Sequence, residues 1–152
     1  MIAKKLFVPS VPQGKARPRA TAVGGFARVY TPSTTKLYEN LIKIVYQRDY
    51  PNEKPTSEPI SLELVFRFPY PKSAYWVVNS KHNGELRSEW KGRKFTLKPD
   101  IDNLMKAVFD GLNGVAYKDD SQIWHVSASK VYDEKPGVEI TILTEPCHAE
   151  SE

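Results

Sequence analysis

The sequence predicts an α+β domain in which one mixed β-sheet is covered by two main helices. Apolar side chains alternate with polar ones in short segments, helical spacing recurs in two longer segments, and 12 prolines divide the chain between them. The resulting order is β-α-β-(loop)-α-β-β without an internal repeat, which is typical of this fold class. The length of 152 residues suits one domain, which we expect over 1–145 with a flexible tail over 146–152.

The beginning of the chain predicts a strand followed by a basic loop. Over 2–8, alternate positions would place Ile2, Lys4, Leu6 and Val8 on one face of a strand and Ala3, Lys5 and Phe7 on the other, and Pro9 ends that pattern. Residues 13–30 combine glycine, proline and basic side chains, which indicates a loop. Gly24-Gly25 in the middle of this loop is suited to a small hairpin.

The first helix is predicted over 32–49. Thr31 is suited to cap it, Pro32 to occupy its first position and Pro51 to stop it. The apolar residues that recur at helical spacing are Leu37, Leu41, Ile44 and Val45. We expect this face to pack on the core, although a partner subunit would also suit it.

The middle of the chain contains the clearest strand and the least readable segment. Over 62–68, Leu62, Leu64, Phe66 and Phe68 alternate with Glu63, Val65 and Arg67, as expected of a strand. Residues 69–98 show no such periodicity and carry Trp76, Trp90 and a cluster of basic residues. We interpret this segment as a long loop with a short helix, and a loop of this length is typically either functional or mobile.

The last third of the chain predicts a helix and two strands. Helical spacing predicts the second helix over 101–113, and Gly114 stops it. Its apolar stripe consists of Ile101, Leu104, Met105, Val108 and Leu112. Residues 123–132 and 138–143 are interpreted as the two strands of a hairpin that turns at Pro136.

Charge is distributed unevenly along the chain. Residues 1–48 hold nine Lys or Arg and one acid, whereas the rest holds 13 basic and 17 acidic side chains. A basic N-terminal region attracts polyanions such as nucleic acid. Cys147 has no second cysteine to pair with, and no apolar run has the length of a membrane span or signal segment. We therefore expect a cytoplasmic protein with no membrane partner.

An acidic block interrupts this basic chain between Lys98 and Gln122. Its five aspartates are Asp100, Asp102, Asp110, Asp119 and Asp120. Two carboxylates about 4 Å apart repel by ~4 kcal/mol at an effective dielectric constant of 20, so such a cluster favours a bound cation. Hard divalent ions such as Mg²⁺ prefer oxygen ligands of this kind. The block therefore predicts metal-assisted chemistry on nucleic acid.

The spacing within the block indicates which residues share a site. Asp100 and Asp102 are two residues apart, so in an extended chain their side chains point the same way. Lys106 follows Asp102 by one helical turn and could donate to a scissile phosphate. The adjacent pair of aspartates near the end of the block can return to this point if the next strand packs beside the helix. Asp110 lies two turns along the helix and is expected outside the ligand set.

Simpler roles compete with each part of this hypothesis. Asp100 or Asp102 could cap the helix, and Asp102 with Lys106 could form an ordinary i,i+4 ion pair. Asp119 and Asp120 could be a solvated turn. Other site chemistries find less support, because the three histidines match no zinc spacing and no glycine-rich phosphate loop is present. We therefore expect no nucleotide cofactor.

Two regions of the chain resemble the RusA family of Holliday junction resolvases, especially its phage and prophage members. In the acidic block the resemblance rests on Asp100-Ile-Asp102-Asn103-Leu104, Lys106, Asp110-Gly-Leu-Asn-Gly and Asp119-Asp120-Ser-Gln122. In the N-terminal region it rests on Pro12-Gln-Gly-Lys15-Ala-Arg17-Pro-Arg19 and Tyr30-Thr-Pro. The resemblance covers most of the chain, over 5–145.

This resemblance implies a homodimeric, Mg²⁺-dependent endodeoxyribonuclease that cuts four-way DNA junctions in recombination or repair, with Mn²⁺ as a substitute ion. The family's metal-binding aspartates would fall on Asp100, Asp102 and Asp120, with Asp119 as an alternative third ligand. Its essential lysine would fall on Lys106. The implied setting is the cytoplasm of a bacterial host, with the enzyme encoded by a phage or prophage.

Basic residues outside the acidic block predict the surface that binds DNA. They are Lys15, Arg17, Arg19 and Arg28 in the N-terminal region, and Lys91, Arg93 and Lys94 in the 69–98 segment. Two other functions fit the same residues. One is a DNA-binding module without catalysis, and the other is a metal-dependent nuclease for flaps or single strands.

Overall fold

The structure is a computed structural model that describes residues 1–15, 19–23, 26–30, 33–77, 81 and 83–146, with the backbone alone for 19–23 and 26–30. The helices and strands are β1 Ile2–Val8, β2 Arg19–Val23, β3 Phe26–Tyr30, α1 Ser33–Asp49, β4 Ile60–Phe68, α2 Ile101–Leu112, β5 Ile123–Tyr132 and β6 Gly137–Thr144. The predicted α+β class and order of elements are confirmed. The expected cap at Thr31 and Pro32 and most of the predicted tail lie outside the described residues.

A four-stranded mixed sheet forms the centre of the domain in the order β1-β6-β4-β5. β4 runs parallel to β5 and antiparallel to β6, and β1 pairs antiparallel with β6. β2 and β3 form a separate antiparallel hairpin, as the sequence predicts around the two adjacent glycines. Among the described residues, no helix is long and apolar enough to cross a membrane.

The predicted hairpin of β5 with β6 is wrong, because β4 lies between these two strands. The inward-facing side chains of β4 are almost completely buried, which suits the middle of the sheet, and they are Ile60, Leu62, Leu64, Phe66 and Phe68. The connection from β5 to β6 passes across the end of β4, where the Asp133 amide donates to the Phe68 carbonyl at 2.8 Å. Arg67 of β4 then binds Asp133 of this connection at 3.0 Å and Glu139 of β6 at 2.6 Å.

The two helices pack against each other and on the sheet, α1 over β1 and α2 over β5. They lie close together at Gly111, where a Cβ atom would lie 2.9 Å from the Ile42 side chain. The residues of α2 that are buried are Leu104, Ala107, Val108, Gly111 and Leu112. Ile101, which was predicted in this stripe, is 39% exposed.

The predicted apolar face of α1 is wrong for two of its four members. Leu37 and Ile44 are 69% and 61% exposed. The buried residues of α1 are Thr35, Tyr38, Ile42, Val45 and Tyr46. Two large tyrosine side chains at helical spacing bury more surface than the leucine stripe, so they set the rotation of the helix on the sheet.

Candidate active site and nucleic-acid interface

The start of α2 presents the first acidic pair to solvent. Asp100 holds the N-cap position, with extended backbone, and the Leu104 amide donates to its carbonyl at 3.1 Å. Its side chain makes no capping hydrogen bond and is paired instead with Lys98, at 2.9 Å between Nζ and Oδ1. The hydrogen bond and charge of Lys98 lower the pKa of Asp100 below its ordinary value. The carboxylate is therefore ionised at neutral pH and accessible.

The chain before Asp100 is held on β5 by Lys130. Its ammonium donates to the carbonyls of Leu97 at 2.6 Å and Pro99 at 2.7 Å. The Phe95 amide also donates to the Lys130 carbonyl at 3.2 Å. This attachment places the first acidic pair beside the sheet, although the local sequence contains no sign of it.

Asp102 and Lys106 lie one turn apart on the exposed side of α2. The i,i+4 ion pair that they could have formed is absent among the described residues. Neither side chain is used to hold the helix in place. Both therefore remain accessible to a ligand in solution.

The second acidic pair precedes β5 and its two members differ in role. Asp119 caps a short 3-10 helix, Asp120–Gln122, by accepting from the Ser121 amide at 3.1 Å, while the Gln122 side chain accepts from the Asp119 amide at 2.8 Å. The hydrogen bonds from Ser121 lower the pKa of Asp119. Gln122 also donates to the Thr56 carbonyl, which ties the turn to the body of the domain. Asp119 thus stabilises the turn.

Asp120 is exposed and lies near a buried tyrosine. Burial, followed by the charge of Asp120, raises the pKa of Tyr117, whose hydroxyl donates to the Phe109 carbonyl at 2.7 Å. No hydrogen bond or ion pair to the Asp120 carboxylate exists among the residues that the structure describes. Of the two candidates for a third ligand, Asp120 is the one whose carboxylate is available.

Asp110 is half-buried between the helices and faces a lysine from the N-terminal loop. Its Oδ2 atom lies 2.9 Å from the ammonium of Lys15, which is also 2.7 Å from Glu39. Burial alone would lower the pKa of Lys15, but the hydrogen bonds to Glu39 and Asp110 raise it above its ordinary value. Lys15 was predicted to contact DNA, and the structure engages its ammonium within the fold. Sequence reasoning missed this contact because 95 positions separate the two residues.

The described residues do not place three acidic, histidine or cysteine side chains close enough together to hold one metal ion. The first acidic pair lies near the chain that Lys130 holds, whereas the second pair precedes Ile123. Seven residues of extended strand separate Ile123 from Lys130, about 23 Å along β5. Convergence of Asp100, Asp102 and Asp120 on one ion stays a prediction. The donor chemistry still fits Mg²⁺, which commonly binds one or two carboxylates and completes its shell with water and phosphate oxygens.

The 69–98 segment is attached to the sheet by aromatic side chains. Phe95 stacks on Phe68 at 3.8 Å between ring centroids, and Tyr70 stacks on Tyr132 at 5.4 Å. Trp90 meets both tyrosines edge to face. The predicted short helix is present as two single 3-10 turns, Lys72–Ala74 and Ser88–Trp90.

Two arginines of this segment stack on its tryptophans. The Arg93 guanidinium lies 4.0 Å from the centroid of Trp90, and Arg87 lies 4.0 Å from Trp76. Lys91, Arg93 and Lys94 are exposed, which suits their predicted contact with DNA. Arg17 lies outside the described residues, and Arg19 and Arg28 are described by backbone alone, in β2 and β3.

Comparison with known proteins identifies the family. A family model described as Endodeoxyribonuclease RusA matches residues 9–143. The chain belongs to the RusA family. The match includes the acidic block, the basic N-terminal region and the 69–98 segment, so the resemblance drawn from the sequence is confirmed.

Two relatives extend this family assignment. The chain is 36% identical over 138 residues to the uncharacterized protein YqaN of Bacillus subtilis (strain 168), covering 91% of this chain and 94% of the relative. It is 35% identical over 85 residues to the crossover junction endodeoxyribonuclease rusA of Lactococcus phage r1t. That second match covers 55% of this chain and 53% of the phage protein.

Proposed function

We propose that this RusA family protein is a Mg²⁺-dependent, structure-selective endodeoxyribonuclease that resolves four-way DNA junctions in recombination or repair. The observation that carries the proposal is a set of exposed carboxylates with a lysine one turn away, in a chain that belongs to a family of endodeoxyribonucleases. The phage relative is named as a crossover junction enzyme, which supports the choice of substrate. The setting that we propose is a bacterial cytoplasm, with the gene carried by a phage or prophage.

The carboxylates proposed as metal ligands are Asp100 and Asp102 at the start of α2 and Asp120 in the turn before β5. Asp119, whose side chain caps the turn, supports the position of Asp120. A bound Mg²⁺, or Mn²⁺ in its place, would supply an activated water and neutralise charge that develops on the phosphate. Lys106 is proposed to donate to a non-bridging oxygen of the scissile phosphate, where negative charge accumulates during hydrolysis.

Two basic surfaces are proposed to hold the DNA backbone. One is the hairpin of β2 and β3 with the loop before it, which carries Arg17, Arg19 and Arg28. The other is the outer side of the 69–98 segment, which carries Lys91, Arg93 and Lys94. The 69–98 segment leads into α2 along the chain, and the loop before the hairpin contacts the start of α2 where the Lys15 amide donates to the Asn103 carbonyl, so phosphates bound to either surface would lie beside the acidic site.

A four-way junction has approximate two-fold symmetry, and its resolution needs two nicks. We propose that the protein acts as a symmetric homodimer, because two copies related by a two-fold axis would place one site on each of two opposite strands. Light scattering at the working concentration tests this directly, with a mass of twice 17.3 kDa as the expected result.

The substrate class is tested with a panel of end-labelled DNA. A four-way junction, a flap, a single strand and a linear duplex would each be incubated with the protein in Mg²⁺, in Ca²⁺ and in EDTA. We expect paired nicks in the junction with Mg²⁺ alone. Preferential cutting of flaps or single strands would identify the alternative nuclease. Salt-sensitive binding to the junction without cutting in Mg²⁺ or Mn²⁺ would identify a non-catalytic DNA-binding module.

A further inference from the structure

We propose that Asp110 is a positioning residue that acts through Lys15. By holding the Lys15 ammonium, Asp110 fixes the loop before the basic hairpin of β2 and β3 onto α2, and so sets where DNA backbone lies relative to the acidic site. This inference rests on the proposed function. It separates Asp110 from the other aspartates of the block, since its partner is part of the protein and not a metal ion.

The ion pairs of Lys15 join three separate parts of the chain. Its ammonium lies between Glu39 of α1, at 2.7 Å, and Asp110 of α2, at 2.9 Å. The side chains of Lys15 and Glu39 are only 22% and 15% exposed. Charge-assisted hydrogen bonds at these distances are stronger than exposed surface pairs, because water screens them less. The N-terminal loop is therefore held against both helices at one point.

Backbone contacts beside this ion pair bring the loop to the first turns of α2. The Lys15 amide donates to the Asn103 carbonyl at 2.9 Å. A Cβ atom on Gly14 would lie 3.1 Å from the Cβ of Pro99 and 3.2 Å from that of Asn103. These contacts are on either side of Asp100 and Asp102. A shift of the loop would therefore change the surroundings of the proposed catalytic carboxylates.

A second lysine balances the charge of this region. Lys43 of α1 donates to the carbonyls of Asp110 and Gly111, both at 3.0 Å, at the C-terminal end of α2. Burial lowers the pKa of Lys43, although the nearby carboxylates of Glu39 and Asp110 oppose this effect. Two ammonium groups thus accompany two carboxylates. Asp110 is satisfied within the fold and needs no bound cation.

The ion pairs of Lys15 with Glu39 and Asp110, which we call the anchor, are close in sequence to the proposed DNA-binding hairpin. β2 begins at Arg19, four residues after Lys15, so the hairpin starts within about 14 Å of the anchor even if the chain between them is fully extended. Fixing Lys15 therefore limits the positions that the hairpin can reach. Without the ion pair between Lys15 and Asp110, the hairpin would still carry its positive charge but would hold DNA over a wider range of positions.

A double-mutant cycle of Asp110→Asn, Lys15→Met and the combined variant tests this proposal. Binding would be measured with an intact four-way junction in Ca²⁺, and cleavage by single turnover at saturating protein over a range of Mg²⁺ concentrations. Asp110→Asn is expected to raise the Kd for the junction about tenfold, the loss expected for one charge-assisted hydrogen bond. The Mg²⁺ concentration for half-maximal cleavage should not change. In the Lys15→Met background, Asp110→Asn should have no further effect on Kd.

Amide hydrogen exchange of the free protein tests the anchor without DNA. In Asp110→Asn, the Lys15 amide should exchange faster, while amides in β4 keep their protection. Glu39→Gln is a second variant that leaves Asp110 intact and removes the other carboxylate at Lys15, so it should change the exchange rate and the Kd in the same direction. Thermal unfolding of every variant shows that these comparisons are made on folded protein.

Several results would overturn the positioning role. A higher Mg²⁺ requirement in Asp110→Asn would make Asp110 a metal ligand. Tighter DNA binding in Asp110→Asn together with weaker binding in Lys15→Met would make Lys15 a direct DNA contact that Asp110 only restrains. If the Lys15 amide exchanges at the same rate in Asp110→Asn as in wild type, Asp110 does not hold the loop. If wild-type protein fails to bind or cut the junction, the proposed function is wrong, whereas the exchange result would still decide the anchor.

Discussion

The acidic block and the 69–98 segment meet at Lys98, and they carry very different amounts of information in their sequences. The block shows its chemistry through residue types at fixed spacing, because a helix places Asp102 and Lys106 on one side by its own geometry. The 69–98 segment has no such periodicity. Its order comes from rings that lie far apart in sequence, such as Phe95 on Phe68 at 3.8 Å. Local spacing therefore reveals the candidate site, whereas long-range packing determines the surface beside it.

The sharpest test within the block compares its two adjacent aspartates. Asp120→Asn should reduce junction cleavage by at least about a thousandfold, since loss of a metal ligand removes several kcal/mol of transition-state stabilisation. Asp119→Asn should retain most activity, because the Asp119 carboxylate caps the turn and is not among the proposed metal ligands. Single-turnover rates of the two variants give the comparison. Similar losses in both would show that Asp119 is more than a cap.

Lys106 tests whether the exposed side of α2 contacts the reacting phosphate. Lys106→Ala should slow cleavage by about a hundredfold or more at saturating Mg²⁺, as expected when a donor to a developing negative charge is removed. Lys106→Arg is the matched control, and it should retain more activity because it keeps the positive charge. Since Lys106 is exposed and outside the core, the melting temperature should be unchanged. Equal rates for wild type and the alanine variant would exclude this role.

The 69–98 segment is tested through the stacked pair of Arg93 and Trp90. Arg93→Ala should weaken junction binding and reduce the slope of log K against log salt by about 1, as for one lost phosphate contact. Arg93→Lys keeps the charge but loses the planar stack, so it should preserve the slope. A slope unchanged in Arg93→Ala would show that this side of the segment does not face DNA.

The smallest expected effect concerns the turn that carries Asp119. The pKa of Asp119 is lower in the folded chain than its ordinary value of 3.8, because Ser121 donates to the carboxylate. This contribution to stability is therefore present above the ordinary pKa and is lost as pH falls through the lower folded value. Thermal unfolding between about pH 5 and 3 should show a shallower loss of stability in Asp119→Asn than in wild type. An identical pH dependence would mean that the hydrogen bond contributes little.

The strands and helices could be predicted from the sequence where each residue's environment depends on its neighbours in the chain. The alternation in β4 and the helical stripe of α2 are of this kind, and both elements begin or end within two residues of their predicted bounds. The exposed positions of Asp102 and Lys106 follow from the same geometry. The resemblance of the acidic block added the expected roles of these residues.

The errors concern contacts that local patterns do not contain. A short connection between β5 and β6 favours a hairpin, yet the burial of β4 places that strand between them. Leu37 and Ile44 have the spacing of a core stripe, but the larger tyrosines of α1 take the core. The pairing of Lys15 with Asp110 spans most of the chain. It could be recognised only after the two helices and the N-terminal loop were placed together.

The most direct test of the account is cleavage of a four-way junction by wild type and by Asp102→Asn, both at saturating protein with Mg²⁺. Asp102 is exposed and contributes nothing to the core, so the variant should fold and bind the junction as wild type does. We predict that wild type makes paired nicks in the junction and that Asp102→Asn leaves it intact. Cutting by Asp102→Asn at the wild-type rate would contradict the assignment of the acidic block as the site of catalysis.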